Sequence, residues 1–323
     1  MKTTRREFLK RVALTGAAIS GLPAAATAAQ KAMAGGKSRV VIATDRAVLA
    51  DGAVVESVLD RMLAQSIVKL TGAEDAAAGW GALFSPDDVV GIKVNCLFGK
   101  GVSTRPEVVM GIVRGLKQAG VRESNIIIWD RSTGDLIKSG FTPNKGNNGV
   151  LCLADDGDWG ETIEQGTFKG RITKMISERV TAYVNAPVLK THGIAGISCC
   201  LKNHYGSFDN PGNHHSNHCN PAMADFSAIP LVKKKCRLVV ADALRPQYDG
   251  GPGLKADAQF DYYSLILSTD PVAADAEGLK VIQARRKELN MDALPAEKTA
   301  WLRSAQERGV GVCDPEKIEL VRV

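Results

Sequence analysis

The stretch VVGIKVNC (89–96), followed by PEVVMGIVRGLKQAG (106–120) and NIIIWD (125–130), decides the fold class. The first and third pieces are short, β-branched and almost wholly apolar, as strands buried on both faces are. The middle piece repeats its apolar residues at helical spacing. It opens on Pro106 and closes at Gly120, residues that favour a helix's first turn and its exit. Strand, helix, strand in so short a span implies parallel pairing through a crossover. The alternation continues outward. RVVIATD (39–45), TAYVNAPVL (181–189), CRLVVADAL (236–244) and YYSLILST (262–269) read as strands. AVVESVLDRMLAQSIVKL (53–70) and PVAADAEGLKVIQARRKEL (271–289) read as helices, the second capped by Asp270. The expectation is an α/β fold with a mainly parallel sheet and helices on both faces. It forms one domain over 29–323, with a small insertion around 135–180.

Residues 1–28 have a different character. MKTTRREFLK carries a twin-arginine pair, VALTGAAISGL is a short apolar run, and PAAATAAQ offers a cleavage site after Ala28. This is the layout of a signal peptide for the twin-arginine route, with a retained N-terminal anchor as the alternative. The apolar run is too short for a stable membrane span. The expected partner is the twin-arginine translocation machinery, and the expected location is periplasmic. Four of the six net positive charges lie in this leader, leaving about +2, which is no footprint for nucleic acid. The seven cysteines (96, 152, 199, 200, 219, 236 and 313) are an odd number, so an oxidising compartment leaves at least one unpaired. Their spacing is that of no ferredoxin-type run.

Ligands of open α/β sheets bind at the carboxyl ends of the strands. Asn95 and Cys96 stand at such an end, and Thr104 and Arg105 precede the next helix, where they could meet an anion or simply cap it. After strand 181–186 come Lys190 and His192, then Lys202, Asn203 and His204 at the end of an expected short helix. A lysine near a second cation loses basicity and can serve as base or nucleophile. NHHSNHC (213–219) adds His214, His215, His218 and Cys219. Imidazole and thiolate suit zinc, nickel, iron or copper, but the spacing is that of no standard module and hydrogen-bonding histidines remain the alternative. Asp242, ending strand 236–241, is the candidate for orienting a lysine or histidine; Asp249, Asp270 and Asp275 are further carboxylates.

Four segments carry a likeness. GIKVN (91–95), VNAPVLKTHGIAGISCCLKNHYG (184–206), ADALRPQYDGGPG (241–253) and STDPVAADA (268–276), in this order, resemble the domain of unknown function 362 family, and within it the exported twin-arginine members without a ferredoxin module. The resemblance implies that Lys93, Asn95, Lys190, His192, Lys202, Asn203, Asp242 and Asp275 are the family's polar motif positions. It implies no activity, and no iron–sulfur motif is present. A shorter likeness, over TRPEVV and the helix after it, is to lactate racemase-type proteins with a nickel-pincer cofactor. The function expected is an exported enzyme with a Lys/His strand-end site for a small anionic substrate. Lys190, His192, Lys202, Asn203, His204 and Asp242 would do the chemistry, while Lys93, Asn95, Thr104 and Arg105 would hold substrate or cofactor. A metal-assisted variant would use the 213–219 loop. The alternatives are a non-catalytic metal- or ligand-binding protein and an accessory protein of an exported redox system.

Overall fold

Val90–Lys93 is buried at every position, as is Ile126–Asp130. Such segments can be satisfied only inside a sheet covered on both sides. The computed structural model describes residues 36–323 apart from Asn147, and the expected leader lies outside them. In chain order the strands are β1 (Ser38–Thr44), β2 (Leu49–Ala50), β3 (Ala53–Val54), β4 (Val90–Lys93), β5 (Ile126–Asp130), β6 (Leu151–Ala154), β7 (Trp159–Gln165), β8 (Phe168–Thr173), β9 (Ala182–Asn185), β10 (Val188–His192), β11 (Gly196–Ser198), β12 (Cys236–Gln247), β13 (Ser264–Ser268) and β14 (Ile318–Arg322). The helices are α1 (Glu56–Thr71), α2 (Ala76–Gly81), α3 (Pro106–Gln118), α4 (Thr133–Lys138), α5 (Cys200–Asn203), α6 (Ala222–Ala228), α7 (Pro230–Lys235), α8 (Pro271–Glu288) and α9 (Trp301–Glu307).

The central sheet runs β14-β1-β13-β12-β9-β4-β5-β6. From β12 to β6 every pairing is parallel, whereas β13 runs antiparallel to both its neighbours. One face packs Leu59, Ile67 and Trp80 of α1 and α2 and Ile112 of α3 onto Ile92, Val184 and Val240. The other packs Met223, Ile282 and Trp301 from α6, α8 and α9 onto Trp129, Tyr183 and Ile266. The molecule is therefore a three-layer α/β fold with helices on both faces of a mostly parallel sheet.

Three departures from the expected elements have physical reasons. The single strand expected over 181–189 is two, because Pro187 has no N–H to give the ladder. β9 pairs with the first part of β12, and β10 with its far part, through Val188 opposite Asp242 and Lys190 opposite Gln247. β10 thus carries Lys190 and His192 beyond the end of the main sheet. Helix 53–70 begins only at Glu56, since Ala53 and Val54 pair with Leu49 and Ala50. Finally, Ile318–Arg322, which shows little apolar pattern, adds a parallel edge beside β1. Between β6 and β9, β7 and β8 form a separate two-stranded hairpin.

Candidate functional site

The carboxyl ends of β4 and β5, the projecting β10 and the short helix α5 meet around one cavity of about 340 Å³. Lys93 closes β4. Its Nζ donates to Asp130 Oδ1 at 2.7 Å and to the Val94 carbonyl at 2.6 Å, with both charged side chains buried. Asp130 also accepts from the Cys96 and Arg131 backbone N–H groups at 2.7 and 2.8 Å. Each charge is met by hydrogen bonds, the condition under which a buried ion pair is tolerated. Gly206 leaves room for the pair: a Cβ there would stand 2.6 Å from Asp130 Oδ1 and 3.0 Å from Lys93 Nζ.

Asn203 ties the walls together. Its Nδ2 donates to the Lys93 carbonyl at 3.1 Å and to Asn185 Oδ1 at 2.8 Å, and its Oδ1 accepts from Asn95 Nδ2 at 3.4 Å. The helix that carries it starts under Asp275, whose carboxylate accepts from the Cys200 and Leu201 N–H groups at 2.6 and 2.9 Å. Burial raises the Asp275 carboxyl to about 6, against the pull of these two donors. Asp275 therefore acts on the cavity indirectly, by setting the helix on which Lys202 and Asn203 ride.

Lys190 and Lys202 are of another kind. Lys190 Nζ donates to Asn95 Oδ1 at 3.2 Å and to the Val102 carbonyl at 2.7 Å. Lys202 Nζ lies 3.2 Å from His215 Nε2 and 3.2 Å above the centre of the Tyr205 ring. Neither amine has a carboxylate partner among the described residues. Burial pushes Lys190 down to about 8, with the Asp130 charge opposing the shift. It pushes Lys202 down to about 7, and the Lys190 charge adds to the shift.

The histidines around them are neutral. His215 Nδ1 lies 2.9 Å from the Pro211 carbonyl, so it donates there and leaves Nε2 to accept from Lys202. His192, which lines the cavity, accepts at Nδ1 from the Ile194 and Ala195 N–H groups, both at 3.2 Å, which puts its proton on Nε2. The two rings stack at 5.9 Å. Burial brings His192 down to about 3, helped by the Lys202 charge.

The remaining candidates lie elsewhere. His204 sits outside this cavity, its Nε2 3.3 Å from the Tyr183 hydroxyl and its Nδ1 3.3 Å from Ser207 Oγ. Asp242 orients no lysine or histidine. Its Oδ1 accepts from Arg105 Nη1 at 2.6 Å and its Oδ2 from the Arg105 N–H at 3.1 Å, so Arg105 is bound within the protein rather than offered to an anion. Thr104 Oγ1 donates to the Ala186 carbonyl at 2.6 Å and accepts from the Asn95 N–H at 3.0 Å, so it holds Asn95 in place. The donor atoms of the 213–219 loop form no group of three within metal-binding reach of one another among the described residues. His214 packs 4.8 Å from Phe168, His215 serves Lys202, and His218 Nδ1 bonds the Ile194 carbonyl. Asn217, His218 and Cys219 have left-handed φ values of 48, 57 and 67°. Among the described residues, the donor atoms within metal-binding reach of one another belong to Cys199, Cys200 and Asp275, a group that was not expected.

Five polar residues of the cavity lining are not among the candidates read from the sequence: Asp130, Arg131, Asp135, Ser198 and Tyr205. Asp130 had a signal, since NIIIWD ends a strand on an acid just as GIKVN ends one on an amide. Tyr205 lies in the quoted KNHYG run and differs from other tyrosines only through the lysine beneath its ring.

A family model described as a domain of unknown function (DUF362) matches residues 90–280, which hold every cavity residue named above. No curated protein matches the chain. Among solved structures, the crystal structure of a Thermotoga maritima protein, a structural genomics target, is similar at 11% identity with a TM-score of 0.43. The match covers 73% of this chain and 60% of that one.

Proposed function

The chain belongs to the domain of unknown function 362 family, and from that premise we propose that its strand-end cavity is the active site of an exported enzyme acting by proton transfer on a small carboxylate. The observation that carries this reading is the pair Lys190 and Lys202, two amines in one cavity with no carboxylate partner among the described residues. An entering anion supplies the missing counter-charge. Lys190, steadied by Asn95, holds the carboxylate. Lys202, poised at about 7, is half free base near neutrality, where a general base works best. Its free amine takes a proton from the carbon beside the substrate's carbonyl carbon. The electron pair moves to the carbonyl oxygen, which accepts a hydrogen bond from His192 Nε2–H, and the new ammonium returns the proton. His214, His218 and Cys219 form no group of three within metal-binding reach among the described residues, so no metal step is part of the proposal. The leader-like character of residues 1–28 supports placing the reaction outside the cytoplasm.

The test follows, by NMR in D2O, loss of the proton from the carbon next to the carbonyl carbon, over a set of 2-hydroxy, 2-oxo and 3-oxo acids. Exchange is expected with at least one of them, rising with pH through about 7 as Lys202 loses its proton. Lys202→Met should lower the rate roughly a hundredfold or more. Binding without exchange across the set would instead favour a non-catalytic ligand-binding protein. Equal rates in wild type and variant would remove Lys202 as the base.

A further inference from the structure

The cavity's floor is cationic, but its mouth is apolar. Among the described residues, eight large apolar side chains are exposed, and three of them line this one opening. Leu97 and Phe98, in the loop after β4, are 55% and 46% exposed, while Ile194, at the turn between β10 and β11, is 41% exposed. All three line the cavity. Leu254, 53% exposed, reaches to 3.2 Å from where a Cβ of Gly101 would lie. Exposed apolar residues scattered singly are ordinary, whereas a cluster at the rim of a pocket marks a binding surface.

The rim is pinned rather than loose. The Gly193 N–H donates to the Gly251 carbonyl at 3.0 Å, and the Gly251 N–H to Thr191 Oγ1 at 3.1 Å. A Cβ on Gly251 would come within 1.9 Å of the Thr191 carbonyl oxygen, so only glycine allows this approach. Ser103 Oγ and Gln259 Nε2 hold the carbonyls of Gly99 and Gly101 on the Leu97–Phe98 loop. The apolar surface is thus preformed, and a ligand loses little by ordering it. Lys190 Nζ lies 5.6 Å from the Phe98 ring centre, so mouth and floor are one continuous wall.

We propose that the cavity takes an amphiphilic anion, with its carboxylate head held by Lys190 next to Lys202 and an apolar tail against Leu97, Phe98 and Ile194. The assignment rests on the anion-binding part of the function proposed above and adds the substrate class. At about 340 Å³ the cavity lies at the small end of ligand pockets, so it holds the head and a short stretch of tail. A protein covering the rim would bury the apolar side chains and leave the two amines beneath unanswered. One amphiphile answers both.

The experiment measures how straight-chain carboxylates from acetate to decanoate protect Lys202 from acylation by acetic anhydride, read by mass spectrometry of the Lys202 peptide. The matching primary alcohols serve as controls. The half-protecting concentration is expected to fall about fourfold for each added methylene until the chain outgrows the rim. The alcohols should protect far less. Leu97→Ser and Ile194→Ser should each flatten the chain-length slope. Protection by acetate and decanoate alike would overturn the tail and leave the anion site standing. Protection by none of the carboxylates, or by alcohols as well as carboxylates, would overturn both. A slope unchanged in both variants would put the tail elsewhere and sink the assignment. A concentration-dependent dimer that Leu97→Ser dissociates, with no chain-length slope, would give the rim to a second copy instead.

Discussion

Residues 190–203 and 213–219 are the two segments densest in chemically active side chains, and although they pack against each other their side chains are used differently. In the first, Lys190, His192, Lys202 and Asn203 all reach one cavity, because β10 runs past the sheet and α5 returns beneath it. In the second, His214 goes into an aromatic cluster with Phe168 and Phe208, His218 reaches for a backbone carbonyl, His215 turns to the cavity, and the buried Cys219 thiol lies against Tyr205 and Lys202. Seven residues holding three histidines and a cysteine bring no three donor atoms within metal-binding reach among the described residues. Four polar residues spread over fourteen positions line one cavity. Convergence depends on where a backbone ends and which way it turns, and local density is a poor guide to either.

The sharpest test of that contrast removes the pair on which the first segment stands. Asp130→Asn leaves the Lys93 ammonium buried without its counter-charge and should cost about 3–5 kcal/mol in urea unfolding. A cost below about 1 kcal/mol would mean the pair does not anchor the cavity floor. Lys202→Met comes next, with the opposite sign. In the unfolded chain this amine titrates near 10.5, and in the fold near 7. Below about 7 both states hold the proton, and the wild type bears the full cost of burying it. Between about 7 and 10.5 only the unfolded chain holds it, so the wild type gains stability relative to the variant as pH rises. The variant should therefore be more stable by on the order of 4 kcal/mol at or below neutrality, and should lose that advantage toward pH 10. An advantage that stays constant with pH would show that Lys202 is not poised. The smallest effects belong to the second segment. His214→Ala should cost about 2 kcal/mol by opening a hole among the phenylalanines, and His218→Ala under about 1 kcal/mol. Neither should change the acylation of Lys202. Tight zinc binding lost in either variant would break the comparison, because it would give the second segment a site of its own.

Much of the candidate site could be read from position along the chain. Lys93 ends a strand whose full burial the run VVGIKVNC announces, Asn95 follows it, and Lys190 and His192 lie in β10. The partners were harder to read. Asp242 looked free at a strand end because nothing in ADALRP names Arg105, which is 137 residues away and on the same edge only in the folded sheet. Asp130 was passed over as the last residue of a strand because its value lies in a lysine 37 positions earlier. Asp275, within α8, gains its role from the two N–H groups of α5 that packing brings to it.

Taken by itself, the sequence determined the α/β alternation, the helices on both faces and the family to which the chain belongs. Periodicity and end signals are local, and four motifs survive in order along one chain. Only the tertiary structure decided that Pro187 splits a strand and carries β10 outward, that Lys93 is paired while Lys190 and Lys202 are not, and that the histidine loop disperses. A lysine's charge state and an imidazole's partner are set by burial and by groups distant in sequence. Neither exists until the chain has closed on itself.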